Sequence, residues 1–308
     1  MISRRNIRVK VMQTLYALPT ETPERNQADG AKQLKQKFEQ SLQLFGYLLY
    51  FITETARYAE IDAHSRAGKH LPSAEDLQVN TKIAGNQWIW KLIDHTGFQH
   101  LISNGHYDSI IDRELLKRIY LDLIQTETYQ EYILEPSRNP KEEKNIIDFI
   151  INQVLLPNES FIQHLEELFI HWDDDAEQMQ TLIGNYLSKP NSFNFQSLVS
   201  EEKMKFATGL LKTVIEKSEQ TLDLIKPKLK NWDADRIASL DLIMLQMGVC
   251  EFLYFETIPT KVTINEYIDL AKAYSTTQSG QFVNGLLDTI HKELVAENKI
   301  EKRSHREK

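Results

Sequence analysis

Along most of this chain apolar residues recur three and four positions apart with polar residues between them, the period of an amphipathic helix. The first stripe is Ile7, Val11, Leu15 and Leu18; Ser3 stands where an N-cap belongs, and Pro19 and Pro23 mark the stop. A polar loop, PTETPERNQADG, follows. Leu34, Phe38, Leu42, Phe45 and Leu49 then predict a helix over 32 to 60, interrupted at Gly68 and Pro72. Further helical segments are predicted at 80–94, 107–134, 141–156, 158–171 and 175–188, split by Gly97, Pro136, Pro140, Pro157 and Pro190. No alternating run is long enough to predict a sheet.

SKPNSFNFQS, residues 188–197, reads as a linker, and the helical signal strengthens beyond it. Ser200 with residues 203–226 forms one stretch, stopped at Pro227. The next follows NWDADR, with Ile237, Leu240, Met244 and Met247 on one face up to Phe255. A third opens on TINE, where Thr263 and Glu266 fit a capping box and Val262 fits a staple to Tyr267. SGQFVNGLLDTI (279–290) predicts a last helix N-capped by Ser279, with Phe282, Leu286 and Ile290 on its apolar face. It also holds Asn284 and Gly285, and the glycine alone weakens a helix by roughly 1 kcal/mol. A 60-residue shift lays Trp172-Asp173 and the two helical stripes before it over Trp232-Asp233 and theirs. Either a duplication or the shared helical period produces such agreement.

Composition agrees with an all-α fold: 11 glycines and 9 prolines in 308 residues are too few for many short strands. The length suits one large domain or two ordinary ones, and 41% apolar with 26% charged residues describes a soluble globular chain. The longest apolar run, YLLYFI, is far short of the ~20 residues of a membrane span. The Ser3-Arg4-Arg5 start is not read as an export signal, because Lys10 and Gln13 interrupt the apolar run such a signal needs. Cys250, the single cysteine, excludes an intramolecular disulfide or a four-thiolate metal site and points to a reducing, cytoplasmic setting.

A net charge of −8 requires any nucleic-acid contact to be local. The ends supply candidates: Arg4, Arg5, Arg8 and Lys10 with no acid among residues 1–10, and a basic tail over 299–308. Asp173-Asp174-Asp175 has no partner at ligand spacing, and His95, His100 and His106 fit no zinc pattern, so no metal or cofactor is expected. No phosphate loop, nucleophile elbow or Cys–His pairing is present, which favours a binding protein over an enzyme.

Ordered motifs carry a resemblance. Glu251 and Leu253 precede Ile258-Pro259; then come Val262, Ile264-Asn265-Glu266, Leu270-Ala271-Lys272, and Phe282-Val283-Asn284-Gly285 with Leu287-Asp288. Together with SRRNIRVKVMQTLYAL at the start, these resemble the NusB family of transcription antitermination factors over about 1–18 and 200–295. The resemblance implies an all-α NusB-like bundle from residues 1–20 plus 198–298, an inserted helical region at 21–197, and the tail at 299–308.

It further implies binding of boxA-type single-stranded RNA, together with the ribosomal protein NusE, within an elongation complex with RNA polymerase during ribosomal RNA transcription. Arg4, Arg5 and Arg8 match the family's arginine-rich start, and Lys10 is grouped with them as an RNA-binding candidate. Phe282 matches its RNA-facing aromatic, flanked by Gln281 and Asn284, and Gly285 would permit close helix approach. Tyr16 and Asp241 lie where the family contacts NusE, and Glu251 is grouped with them. Read without the resemblance, Phe282 and Gly285 are core packing and Asn284 a satisfied amide. Gln281 and Gln246 replace residues that are often basic in the family, so a scaffold that keeps the fold and loses RNA is the alternative.

Overall fold

The computed structural model describes residues 1–18, 23–231 and 238–302, and among them there are fifteen α-helices and no strand. In chain order they are α1 (Arg4–Ala17), α2 (Pro23–Ala67), α3 (Gln87–Ile93), α4 (Thr96–Gly105) and α5 (Tyr107–Ile110). Then follow α6 (Arg113–Leu123), α7 (Glu127–Leu134), α8 (Pro140–Phe149), α9 (Glu159–Leu168) and α10 (Trp172–Ser188). The last five are α11 (Glu201–Glu216), α12 (Ser218–Ile225), α13 (Ser239–Tyr254), α14 (Thr260–Tyr274) and α15 (Ser279–Ala296).

Short polar side chains set many of the starts. Ser3, Asn86, Asp112, Thr126, Asn139, Asn158 and Ser200 each accept a backbone N–H of the first turn, satisfying donors that the helix cannot. Asp112 and Thr126 explain why the expected 107–134 segment is divided: each caps a new helix within it. The expected loop after Pro19 is shorter than read, since α2 is helical from Pro23. Nor does Thr263 cap α14. That helix starts at Thr260, Thr263 is buried inside it, and Val262 is exposed and does not staple. Ser279 is the first residue of α15 rather than its cap. The Trp232-Asp233 half of the 60-residue repeat lies outside the described residues.

The chain divides into two compact units, residues 39–198 with Met1, and residues 2–38 with 199–308. The first unit is packed around aromatic rings: Phe45 stacks on Phe193 and Phe195, with Phe98, His95 and Tyr186 against Phe195. The second is built on α13, which is buried along most of its length and packs against α1, α11, α12, α14 and α15. Here a glycine has a steric role. A Cβ on Gly248 would lie 2.8 Å from Leu287 Cδ2, so α13 and α15 approach this closely only without one. Gly285, expected to serve close approach, has nothing within 4 Å of the same position and is exposed. The expectation is corrected: Gly248 is the contact glycine.

Candidate nucleic-acid interface

Ser3 caps α1 by accepting from the Asn6 N–H, so the arginines that follow stand in the first two turns of a well-formed helix. They go to different places. Arg4 reaches Glu202 on α11 at 2.7 Å, and Arg5 reaches Asp269 on α14 at 3.6 Å; both side chains stay about 40% exposed. Asp269 also lies 3.9 Å from the Lys272 amine. The Lys272 stem lies across Gly280, where a Cβ would stand 2.8 Å from its Cγ. Gln281 and Asn284 are exposed on the next turns of α15. A polar surface therefore runs from the start of α1 across α14 to the start of α15.

Arg8 belongs beneath that surface. It is 1% exposed, and its Nε and Nη2 donate to the two oxygens of Glu251, itself fully buried, at 2.7 and 3.0 Å. Tyr267 Oη and Thr263 Oγ1 donate to the same carboxylate at 2.8 and 2.9 Å, and Glu266 approaches Arg8 Nη1 at 3.4 Å. The guanidinium also lies over the Phe206 ring, which Arg4 covers as well. Burial works against the Arg8 charge, but the Glu251 hydrogen bonds and field outweigh it and raise its pKa further. Burial first, then the Glu251 charge, pushes the Tyr267 phenol well above its ordinary value. This network ties α1 to α13 and α14.

Several expectations are corrected by these positions. Arg8 and Lys10 are 1% exposed and Phe282 is 6% exposed, so none presents its charge or ring face to an RNA strand in this fold. Phe282 lies on the same buried face of α15 as Leu286 and Ile290, the core reading of its spacing. Glu251, expected at a partner surface, is internal. Arg4, Arg5, Gln281 and Asn284 remain exposed or partly so.

Of the other partner candidates, Tyr16 is 58% exposed. Asp241 is 5% exposed; its Oδ2 accepts from Ser279 at 2.7 Å, while its buried Oδ1 has no hydrogen-bond donor among the described residues. Gln246 is also turned inward, donating to Ser218 and Thr221 and joining α13 to α12. In the tail, Lys302 donates to the Glu251 and Phe255 carbonyls at the end of α13, a C-cap made by a lysine. Burial lowers its pKa. Residues 303–308 lie outside the described residues. Asp269, Lys272 and Phe206 carry the surface but were given no role from sequence. Lys272 stood within a family motif without one.

Among the described residues no group of three or more His, Cys, Asp or Glu is placed to hold a metal ion, and no helix is long and apolar enough to cross a membrane. The NusB family model matches residues 159–292. The chain is 40% identical over 94 residues to a transcription antitermination protein NusB of Finegoldia magna, covering 30% of this chain and 69% of that protein. It is 45% identical over 83 residues to the one of Methylacidiphilum infernorum, covering 27% and 58%. With the one of Salinibacter ruber it shares 38% over 97 residues, covering 32% and 61%. No solved structure matches. The matched segment includes α11 to α14 and most of α15, the helices that carry all of this surface except the two arginines, and the chain belongs to the NusB family.

Proposed function

We propose that this chain acts in transcription antitermination by binding boxA-type single-stranded RNA together with NusE. The observation that supports it most is the continuous surface from Arg4 and Arg5 through Asp269 and Lys272 to Gln281 and Asn284, with the Arg8–Glu251 network beneath its α1 end. Arginines supply phosphate contacts, and side-chain amides supply donors and acceptors to the edges of unpaired bases. Both arginines already face a carboxylate, so RNA has to displace Glu202 and Asp269, and each phosphate contact adds about 0.7 to the salt slope. NusE is assigned to the surface bearing Tyr16 and the entrance to Asp241, whose unsatisfied oxygen suits a partner's N–H. The protein works in the cytoplasm beside RNA polymerase and performs no chemistry itself. Residues 1–20 with 198–298 form the RNA-binding core, and 21–197 is an insertion whose first part, 23–38, packs with that core.

The test is fluorescence anisotropy with a boxA-type RNA and a scrambled control at two salt concentrations, with and without NusE. Preference for boxA that grows when NusE is present is the expected result. Equal, weak binding to both RNAs would refute it. The same outcome would favour a scaffold without RNA specificity, the reading that the two carboxylate-paired arginines and Gln281 support.

A further inference from the structure

The two units carry opposite charge. Residues 39–198 hold 24 acidic against 12 basic side chains, while the rest of the chain, which bears the proposed RNA surface, holds 20 against 24. Nucleic acid is repelled by the first unit, so an electrostatic partner of that unit is a cation.

A groove of about 360 Å³ between α7 and α8 lies in this acidic unit. Its floor is apolar, made by the Tyr132 ring and Ile146, both buried. Thr128, Asn145, Glu131, Glu135 and Glu142 form the rim. The floor is held rigidly from below: Tyr132 Oη donates to the buried Glu143 at 2.7 Å, and the Gln87 N–H donates to the other oxygen at 2.7 Å.

α8 also carries Lys141 and Lys144, outside the lining, while the two cations that reach Tyr132 and Glu143 are engaged within the protein. Lys82 donates to the Tyr132 and Glu135 carbonyls with its amine 4.3 Å from the centre of the Tyr132 ring, and Arg138 is engaged by the Gly85 carbonyl and Glu143. Glu131 and Glu142 make no ion pair with any described residue. The lining itself thus holds three carboxylates and no cation around an apolar floor. It is too spread for a metal ion, since no three such groups converge among the described residues. A polypeptide that places an apolar side chain between flanking cations matches both features.

We propose that the α7–α8 groove docks a lysine- and arginine-rich segment of a partner protein, anchored by one apolar side chain on Tyr132 and Ile146. The probe is a fluorescent twelve-residue peptide with two central leucines flanked by lysines and arginines, titrated against the full chain at low and physiological salt. The control peptide has glutamates for the cations. The triple variant Glu131→Gln, Glu135→Gln, Glu142→Gln is expected to weaken peptide binding about tenfold or more. A second triple variant with the same charge change on α9 and α10, Glu166→Gln, Asp173→Asn, Glu177→Gln, is expected to leave it within about twofold. RNA affinity should be unchanged in both.

Equal weakening by the two triple variants would overturn the groove in favour of diffuse charge, and absence of peptide binding at either salt would overturn it outright. A dimer in sedimentation that the groove variant alone abolishes would hand the site to a second copy and also overturn it.

Discussion

Removing the carboxylate of Glu251 should be among the most damaging single changes in the unit containing α13. Glu251→Ala leaves Arg8, 1% exposed, with its guanidinium stripped of its bidentate partner. Glu266 remains, but at 3.4 Å and partly in solvent. Unit charges about 4 Å apart at an effective dielectric of 20 attract by about 4 kcal/mol. Breaking a buried ion pair from one side is observed to cost about 3–5 kcal/mol, because the orphaned charge stays desolvated. Tyr267 and Thr263 lose their acceptor as well, which holds the effect at the upper end of that range. At roughly 2–4 °C per kcal/mol for a unit of this size, the melting point should fall by roughly 6–20 °C.

Calorimetry on the full chain is the assay, since it separates the melting of the two units where they do not unfold together. The double variant Arg8→Met, Glu251→Leu discriminates further. With both charges of the buried pair gone it should be more stable than either single variant, retaining the cost of two hydroxyls without an acceptor and of a partly exposed Glu266 without its cation. A Glu251→Ala chain melting within about 1 kcal/mol of the parent would refute the reasoning. A double variant no better than the worse single would refute the claim that an uncompensated charge is the cause.

The two glycines of the α13–α15 region should respond in opposite directions. Gly248→Ala drives a methyl against Leu287 and is expected to cost about 1–3 kcal/mol in urea unfolding, while Gly285→Ala, open to solvent in mid-helix, should stabilise by about 0.4–1 kcal/mol. Arg5→Ala should weaken RNA binding for all sequences and flatten the salt dependence by about 0.7 log units per log unit of salt if the arginine meets one phosphate; an unchanged slope would remove it from the surface. The buried phenols set an alkaline limit. Burial raises the pKa values of Tyr107, Tyr120, Tyr186 and Tyr267 above the ordinary 10.0, and pushes Tyr129 up to about 12. Their folded-state pKa values exceed the unfolded ones, so their contribution is complete below pH 10 and is lost as pH rises beyond it. Tyrosinate absorbance should therefore climb together with the loss of helical circular dichroism above pH 10, and free titration of these phenols in a still-folded chain would contradict the burial.

Helices were legible because their period is local, and so were the family motifs of α13 to α15. What lay outside reach was the partner of each polar residue. Arg4, Arg5 and Arg8 look alike within one segment, yet the i+4 step from Arg4 to Arg8 carries the side chain from a 40% exposed position to a 1% exposed one. The difference is made by Glu251, 243 positions away, and by Thr263 and Tyr267 on a third helix. The same blindness misassigned Thr263 to a helix cap: TINE has the spacing of a capping box, but the hydroxyl is claimed by a carboxylate twelve residues earlier. Phe282 is the converse case. Its periodicity placed it correctly in the core, and only the resemblance drew it outwards.

A motif shared across a family therefore fixes which residues are held together more securely than which of them touch a ligand. Here Arg8, Glu251 and Phe282 bind the helices to one another. Under the function proposed above, the residues left to meet a partner are the less distinctive, exposed ones around them: Arg4, Arg5, Lys272, Gln281 and Asn284. A buried charge that must find its partner before α1 can dock also makes the register of that helix against α13 and α14 all-or-none, because a slip of one residue would turn Arg8 off the carboxylate. It is this constraint, rather than any contact of its own, that gives Arg8 its bearing on where Arg4 and Arg5 stand.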